Sequence, residues 1–523
     1  MYPILTRLWG NINLAIASQC ATLDESAQDE RIFAWLPVQR GCVMWRVVML
    51  LLCWPVWAVA SIAWVADYEQ ARERAQAQDL PLMVYFDAPW CSWCHRYRDE
   101  TLSQPQVSDY LQRHYISVQV DWDARPDLVR RYGANGLPYT VVLAPDGSLR
   151  SRFLGLVEAD ALLARLADER RGSDDAELRL GDFPPLRPQG TDRAAWEGFY
   201  GEYLAHLERL WWPPGDGLHG LFDTGLSLKW PQPLTWLWLE GNALWPQRSA
   251  LSRATELERL WDRHDGGFFN YAEPRAEHLE TSKLLPENAW MAAWFAGSTE
   301  RNEQQAAAST LALLRGLKSE RGGLYQARQA DQGYYRLPLA QRDTPPPVDD
   351  IVRADANGSA VWALACAAER GLDGAQELAE ETLVGVLDNL WRDGRLHHAR
   401  RGAQLGQQVW PEDGLYLMAA ALALDSLAGG AQWRERIAPI SDEIAQWAVG
   451  VQDGALHSDR AAILAWVAVQ AEYREHFAAG TVQHALRHLT LGAETLPDRL
   501  VPGLAAWQRL LGEKEQGSAC LNG

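Results

Sequence analysis

The sequence predicts a multidomain protein in which an α/β domain over residues 64–172 precedes an all-α domain over residues 192–515. The chain has 523 residues, which is more than one ordinary hydrophobic core organises. Strand-like and helix-like patterns alternate in the first segment, whereas apolar residues recur at helical spacing almost throughout the second. A proline-rich stretch over residues 173–191 separates them and has the composition of a stiff, extended linker.

The α/β segment contains four predicted strands and five predicted helices. The strands cover residues 82–86, 116–121, 139–144 and 149–154, and the helices cover residues 67–77, 95–103, 106–114, 125–132 and 159–169. Two helix-linked strands, followed by a hairpin and a closing helix, indicate a compact α/β domain.

A Cys-x-x-Cys pair follows the first predicted strand. Cys91 and Cys94 would lie at the N-terminus of the next helix, where unpaired backbone N–H groups and the helix dipole stabilise a thiolate. The two intervening residues allow the second cysteine to reach the first and form a disulfide. We therefore predict a redox-active pair in which Cys91 is the attacking thiol and Cys94 the resolving thiol.

The residues around this pair resemble the active site of the thioredoxin-fold family. Trp90 precedes the first cysteine, as in the family motif, and Pro138 precedes the third predicted strand. The resemblance implies that Pro138 is cis and lies beside the disulfide, where the backbone of a client docks. It also implies a thiol-disulfide oxidoreductase with protein thiol or disulfide clients and a redox partner.

One position departs from the family pattern. Many thioredoxins have a buried acid just before the strand phenylalanine, and this acid accepts the proton of the resolving thiol. Here Tyr85 precedes Phe86. Asp87 or a water molecule would have to take that role, so we expect slow turnover.

His95 leaves a second interpretation of the motif open, because Cys91-x-x-Cys94-His95 also spells a c-type haem attachment sequence. The preceding strand, Trp90 and Pro138 favour redox thiols over haem. We therefore expect no cofactor apart from the disulfide itself, and no metal. His95 would then either tune the thiolate electrostatically or lie on the exposed face of the helix.

The all-α segment combines helical patterns with a recurring glycine motif. Helices are predicted over residues 193–210, 249–263, 287–295, 304–317, 359–370, 375–391, 415–427, 433–449 and 460–471. The motif recurs at Gly217, Gly267, Gly323, Gly394 and Gly454, with spacings of 50, 56, 71 and 60 residues. That period fits one antiparallel helix pair and its loop, so we predict a closed ring of helical hairpins with the glycine loops at one end.

Several segments of this region, in this order, resemble a family of long thioredoxin-domain proteins typified by spermatogenesis-associated protein 20. They are Lys229-Trp230-Pro231, Asp265-Gly266-Gly267-Phe268-Phe269, Lys283-Leu284-Leu285-Pro286-Glu287-Asn288, Asn357-Gly358 and Glu412-Asp413. In that family a thioredoxin-like domain precedes an (α/α)6 toroid similar to six-hairpin glycosidases and N-acylglucosamine 2-epimerases. The family's His-x-Glu-Lys cluster reads Glu280-Thr281-Ser282-Lys283 here, and the missing histidine weakens the case for sugar chemistry.

The resemblance implies a pocket at the ends of the inner helices of the toroid. The candidate pocket residues are Lys229, Glu280, Lys283, Glu287 and Asp413, and acid–base chemistry could also involve Asp355, Glu412, His397 and His398. The alternative is structural, because acids at helix starts are often caps and histidines in short loops are often solvated turns. Trp230, Trp236, Trp238 and Trp290 could likewise stack on a sugar or fill the core of the ring.

Composition restricts the partners. A net charge of −19 argues against nucleic acid and favours proteins or neutral small molecules, including a carbohydrate ligand. Among the seven cysteines only Cys91 and Cys94 have redox spacing. Cys366, in an alanine-rich segment, is expected to be an inert buried thiol.

The N-terminal region predicts export. Residues 47–60 are almost wholly apolar and end in Ala58-Val59-Ala60, so residues 44–63 are interpreted as a signal peptide or a membrane anchor. Met44 is then the expected start, and residues 1–43 are a non-native extension. Either interpretation makes the remaining chain periplasmic or otherwise extracytoplasmic. If the segment is not cleaved, it anchors the protein to the membrane.

Two main functions follow from the sequence. The first is an exported thioredoxin-like thiol-disulfide oxidoreductase whose helical toroid binds a client or ligand. The alternative is a carbohydrate-active toroid enzyme, similar to epimerases or glycosidases, with an accessory thioredoxin domain. A binding scaffold with a vestigial redox centre is the third interpretation.

Overall fold

A computed structural model describes residues 61–171, 185–212, 219–221, 231–273, 278–406, 410–450, 456–492, 495–512 and 519–520. These residues belong to one compact unit, Ala60–Gly523. The expected N-terminal extension, all but the last three residues of the expected leader, most of the linker and Lys229 lie outside the described residues. Within the described part of the chain, every helix is too short or too polar to span a bilayer.

The first domain is built on a five-stranded mixed sheet with the strand order β1-β3-β2-β4-β5. The strands are β1 (Trp64–Val65), β2 (Leu82–Asp87), β3 (Ile116–Asp121), β4 (Tyr139–Leu143) and β5 (Leu149–Leu154), and the helices are α1 (Tyr68–Gln78), α2 (Ser92–Tyr97), α3 (Pro105–His114), α4 (Pro126–Arg131) and α5 (Ala159–Arg171). β2 pairs parallel with β3 and antiparallel with β4, and all six of its residues are buried. Two separate apolar clusters pack in this domain, which confirms the predicted α/β architecture.

Helix α2 begins earlier than the sequence predicts. Cys91 is its N-cap, and the Cys91 sulfur accepts a hydrogen bond from the Cys94 N–H at 3.1 Å. A π-helical turn, Arg98–Leu102, continues the helix. Cysteine is not among the residues that usually mark a helix start, which explains the misplaced boundary.

The second domain is a closed ring of helices. The inner helices are α7 (Pro233–Gly241), α9 (Leu285–Ala296), α12 (Ala354–Glu369), α14 (Pro411–Ala428), α17 (Ser458–Val469) and α19 (Val501–Leu510). Each inner helix contacts the next, and α19 returns to contact α7. The outer helices are α6 (Arg193–Leu210), α8 (Pro246–Arg259), α10 (Arg301–Arg315), α13 (Ala375–Leu390), α16 (Ala438–Gly450) and α18 (Thr481–Arg487). This alternation confirms the predicted (α/α)6 ring.

Short helical turns complete the connections of the ring. They are α11 (Gln332–Arg336), α15 (Gln432–Arg436) and the 3-10 turns Leu339–Gln341 and Pro497–Arg499. The sequence predicts one helix over residues 433–449, but the structure divides it into α15 and α16 at Ile437. Pro439 explains the break, because proline is tolerated in the first turn of a helix and disrupts a helix interior.

Large aromatic side chains fill the interior of the ring. Trp236 of α7 and Trp294 of α9 are fully buried and stack with ring centroids 6.1 Å apart. Trp238 and Trp290 are also buried. The candidate sugar platforms Trp236, Trp238 and Trp290 therefore belong to the core, as expected for inner helices that are apolar on nearly all sides. The fourth candidate, Trp230, lies outside the described residues.

The second domain is not helical throughout, contrary to expectation. Short strands lie in the connections from outer to inner helices: β6 (Trp211–Trp212), β7 (Gly220–Leu221), β8 (Tyr271–Glu273), β9 (His278–Glu280), β10 (Lys283–Leu284), β11 (Ala327–Arg328), β12 (Val348–Asp349), β13 (Ile351–Arg353), β14 (Trp391–Arg392), β15 (Arg395–Leu396), β16 (Ala399–Arg401) and β17 (Gln404–Leu405). Strands of two or three residues are too short for alternating hydrophobicity to reveal.

Two of the glycine loops are held by the same device. The Asn288 amide oxygen accepts from the Phe268 N–H at 2.7 Å, and its nitrogen donates to the Phe268 carbonyl at 3.1 Å. Asn357 makes the equivalent bonds to Leu324 at 2.7 and 3.0 Å. Gly267 has φ +75°, and a Cβ there would lie 2.8 Å from the Asn288 oxygen, so this loop requires glycine. In both loops, an asparagine in the first turns of the following inner helix therefore holds the glycine loop in place.

Cys366 is not a free thiol, contrary to expectation. It forms a disulfide with Cys520, 154 residues later in the chain. Ala519 and Cys520 are both buried, and the Ala519 carbonyl accepts a hydrogen bond from Trp362 Nε1 at 2.9 Å. The C-terminal segment is thereby anchored to α12. Sequence spacing gave no sign of this pairing, because the two cysteines meet only in the folded ring.

Candidate active site

The cysteine pair follows β2 and lies at the start of α2. Cys91 and Cys94 are joined in a disulfide, with their Cα atoms 5.3 Å apart. Because Cys91 caps α2, its sulfur faces the free N–H groups and the positive end of the helix, which stabilise a thiolate after reduction. The pair therefore has the local chemistry required for reversible thiol–disulfide exchange.

Trp90 and the turn that contains Pro138 lie beside the pair. The Leu137–Pro138 peptide bond is cis, as the resemblance implies. Leu137 and Trp90 pack against the small buried cluster that contains both cysteines. The turn before β4 is thus brought next to the disulfide, although it is distant in the sequence.

Two titratable residues flank the pair in the sequence. Burial, together with the Arg98 charge, lowers the pKa of His95, so its imidazole is neutral at neutral pH and adds no positive charge for the thiolate. Burial raises the pKa of Asp87 to about 7, and its carboxylate accepts a hydrogen bond from Gln119 Nε2 at 2.6 Å. A carboxyl group that exchanges protons near neutral pH suits the proton-acceptor role that we expect for Asp87.

The helical ring contacts both residues between the cysteines. The Ser92 hydroxyl donates a hydrogen bond to the Glu280 carboxylate. The Trp93 ring lies 4.7 Å from the His278 ring, centroid to centroid. His278 and Glu280 are the first and last residues of β9, so one short strand of the ring lies against the motif.

This contact buries the redox pair. Cys91 is only 3% exposed and Cys94 only 1%. A further backbone bond runs from the Ala330 N–H of the ring domain to the Trp90 carbonyl at 3.3 Å. The face of the first domain that carries the cysteine pair is therefore covered by the second domain of the same chain.

Charged residues hold this arrangement together. Among the described residues, three ion pairs cross between the domains: Asp121 with Arg401, Asp123 with Arg353, and Arg130 with Glu412. Asp123 is almost fully buried and also accepts a hydrogen bond from Trp90 Nε1 at 2.7 Å. Asp123 thus connects the tryptophan of the redox motif directly to an arginine of the ring. A buried carboxylate of this kind requires such partners, because an unpaired charge would be costly.

His398 joins the two domains through both nitrogens of its ring. Nδ1 lies 2.8 Å from Asp413 Oδ1, and Nε2 lies 2.9 Å from the Asp123 carbonyl oxygen. Because both partners are acceptors, both nitrogens carry a proton and the imidazole is positively charged. Burial alone would lower the pKa of His398, but the carboxylates of Asp413 and Asp355 raise it to about 9.

Asp355, His398 and Asp413 also bring potential ligand atoms within 4.8 Å of one another. Their hydrogen bonds favour a charge network over a metal site, because both nitrogens of His398 are engaged. Arg353 donates two hydrogen bonds to Asp355, at 3.0 and 2.6 Å. Burial opposes ionisation of Asp355, but Arg353 and His398 lower its pKa to about 2, so it stays charged.

The remaining candidate ring residues lie in different surroundings. Glu287 lies in the first turn of α9, and its side chain is partly exposed. Burial of its carboxyl group raises its pKa. Lys283 is fully buried, and its ammonium donates to Asp262 at 2.6 Å and to the Gly266 carbonyl at 2.7 Å. Lys283 thus supports a glycine loop. His397 hydrogen-bonds to the Gly406 carbonyl at 2.7 Å through Nδ1.

Sequence reasoning missed the acids that connect the two domains. Asp121 ends β3 and Asp123 follows it, so both lie at the carboxyl end of a parallel strand. Ligands of open α/β sheets bind at that end, and this position was the available signal. Arg353 and Arg401 carried no signal, because they are 230 and 280 residues from their partners in the chain.

Comparison with known proteins identifies the first domain as thioredoxin-like. Residues 63–145 match the family model described as thioredoxin-like. The thiol:disulfide interchange protein DsbD of Neisseria meningitidis serogroup A is 33% identical over 88 residues, which cover 16% of this chain and 15% of that protein.

Similarity to other proteins extends into the ring. Spermatogenesis-associated protein 20 of Rattus norvegicus is 22% identical over 321 residues, which cover 52% of this chain and 39% of that protein. The chain thus spans about two fifths of the length of that relative. The solved cellobiose 2-epimerase of Spirochaeta thermophila aligns with a TM-score of 0.44 and 15% identity, over 61% of this chain and 99% of that one. Residues 63–145 form a thioredoxin-like domain, which holds its Cys91–Cys94 pair against a closed helical ring.

Proposed function

We propose that the protein is an extracytoplasmic thiol-disulfide oxidoreductase whose helical ring binds the client or ligand. The observation that carries this proposal is the position of Cys91 as the cap of α2, bonded to Cys94 beside the cis-Pro138 turn. The similarity to a thiol:disulfide interchange protein supports it.

The exchange has two steps. In the reducing direction, the Cys91 thiolate attacks one sulfur of a client disulfide, a mixed disulfide forms, and the other client sulfur leaves as a thiolate. The Cys94 thiolate then attacks Cys91 Sγ, which releases the second client sulfur and forms the Cys91–Cys94 disulfide. The client gains two electrons and the cysteine pair loses two. The same steps in reverse oxidise a client dithiol.

The second disulfide supports an extracytoplasmic location. Cys366–Cys520 is buried and lies away from the redox motif, so it has the character of a structural bond. Such disulfides persist in oxidising compartments. Together with the apolar segment ending at Ala60, this supports export of the mature chain.

The test is a redox titration of the chain from residue 61 onward in glutathione buffers, with free thiols counted at each ratio. We expect a reversible two-electron couple in the wild type. The double variant Cys91→Ser/Cys94→Ser controls for reduction of Cys366–Cys520 and should lack the couple. Cys94→Ser should accumulate mixed disulfides with a model client, whereas Cys91→Ser should not. Absence of a reversible couple in the wild type would reject the proposal.

Glu287 favours a second candidate function, a carbohydrate-active ring. Its carboxyl group lies at the start of an inner helix, and burial raises its pKa, which is the direction that suits a general acid. Under this alternative, Glu287→Gln should abolish turnover of a sugar substrate that Cys91→Ser leaves intact. A screen of reducing disaccharides and hexoses with both variants separates the two functions.

A further inference from the structure

The hairpin formed by β8 and β9 lies against the redox motif from the ring side. Tyr271 of β8 pairs with Glu280 of β9, and a side-chain hydrogen bond joins the Tyr271 hydroxyl to Trp93. Glu280 is 2% exposed, and its carboxylate accepts from the Ser92 hydroxyl and, at 3.3 Å, from the Ser282 N–H. The two residues between the cysteines are therefore both in contact with one element of the second domain.

We propose that Glu280 is a positioning residue of the redox centre, whose carboxylate charge lowers the reduction potential of the Cys91–Cys94 pair. This inference rests on the proposed oxidoreductase function and deepens it. Ser92 is the first residue of α2 and follows Cys91 directly, so a charge bonded to its hydroxyl lies close to the sulfur that becomes the thiolate. A negative charge there opposes the helix N-terminus, which stabilises that thiolate.

The groups around Glu280 leave its charge unneutralised. Burial raises the pKa of Tyr271 well above its usual range, and burial lowers the pKa of His278, so both are neutral at neutral pH. Arg96 and Arg336 are the charged groups that act on His278, and Arg96 is paired with Glu100 at 3.1 Å. Arg96 of α2 stacks on Trp93 at 4.6 Å, and the Asp331 carboxylate accepts from the Tyr334 N–H at 2.8 Å.

Reduction of the pair then becomes coupled to a proton at Glu280. The disulfide takes up two electrons from a client dithiol and becomes a Cys91 thiolate and a Cys94 thiol, while the client dithiol becomes a disulfide and releases its protons. The new thiolate repels an ionised Glu280. Burial raises the pKa of Glu280 to about 7, so a nearby thiolate is enough to make it bind one of those protons around neutral pH. The carboxylate penalises the reduced form above this pKa and has no effect well below it.

The test compares the reduction potentials of the full chain and three variants in glutathione buffers at pH 6 and pH 8. At pH 8, Glu280→Gln should shift the equilibrium with glutathione about tenfold towards the reduced form, which equals about 30 mV less negative. At pH 6 the difference should vanish. Glu280→Asp keeps the charge and should restore the wild-type value. Glu273→Gln is the matched control, because Glu273 lies at the far end of the same hairpin, opposite His278.

The outcomes separate this inference from the proposed function. A wild type without a reversible couple rejects the function itself. A wild-type couple that Glu280→Gln leaves unchanged at pH 8 rejects the role of Glu280 alone. An equal shift at both pH values would identify a structural effect and would also reject the role of the charge. If Glu280→Gln does not fold, Glu280→Asp and the pH dependence of the wild-type potential still decide, because an ionisable Glu280 makes that dependence steeper above pH 7.

Discussion

The Cys366–Cys520 disulfide gives the sharpest prediction about stability. We consider the double variant Cys366→Ala/Cys520→Ala, which removes the bond without leaving a free thiol. The disulfide closes a segment of 154 residues that contains three of the six inner helices. Without the bond, the unfolded chain gains the conformational entropy of this large loop, whereas the folded ring keeps its noncovalent contacts.

The magnitude follows from loop length. For a loop of this size, the chain-entropy relation gives a loss of about 5 kcal/mol in the free energy of unfolding at 25 °C. Two alanines in place of two buried cysteines leave little additional cavity. The bond also fixes Ala519, whose carbonyl accepts from Trp362, so the variant should weaken the attachment of the C-terminal segment to α12 as well.

The assay is urea unfolding without reductant, followed by tryptophan fluorescence of the ring and by circular dichroism. We expect a lower midpoint in the variant, with most of the difference abolished when both proteins are unfolded in the presence of reductant. Equal midpoints under non-reducing conditions would refute the reasoning. So would free Cys366 and Cys520 thiols in the oxidised wild type, detected by mass spectrometry after alkylation.

Two further predictions concern the contacts that hold the domains and loops. His398→Asn should lower the free energy of unfolding by about 3 kcal/mol at pH 7, because it leaves the buried Asp413 without its cation. The pKa of His398 is raised from 6.5 to about 9, so its contribution to stability is complete below pH 6.5 and disappears as the pH rises through 9. Urea unfolding should therefore show a large difference from wild type at pH 6 and a small one at pH 10. Asn357→Ala should cost about 2 kcal/mol, because it leaves the N–H and carbonyl of Leu324 unsatisfied. Gln376→Ala, on the exposed surface of α13, is the control for the asparagine variant and should change the midpoint little.

Local patterns were sufficient to predict most of the secondary structure. The strand that leads to Cys91 and the outer helix α6 were placed within one residue, because their apolar residues have clear periods. Helices α12 and α14 begin four or five residues before their predicted starts. Their first turns carry Asp355, Glu412 and Asp413, the polar residues that face the first domain. A hydrophobic period excludes such residues, so the helix ends nearest to the candidate site are the least predictable.

The relation between the two domains could not be predicted from local patterns. Ser92 and Glu280 are 188 residues apart, and neither lies in a segment whose periodicity indicates a contact. The sequence resemblance assigned Glu280 to a pocket in the toroid, but the structure places its carboxylate on the redox motif. A contact of this kind exists only in the folded protein, where the ring is closed and packs against the first domain.

The docked arrangement makes the ring a tethered competitor for the cysteine face. Because the ring belongs to the same chain, its competition for this face does not depend on how much protein is present. Under the proposed function, the apparent affinity for a free client is the intrinsic affinity reduced by the fraction of molecules in which this face is open. Under the proposed function, clients are selected by their ability to displace Glu280, Arg353 and Arg401 from the first domain. The contacts between the two domains then determine client choice together with the reactivity of Cys91.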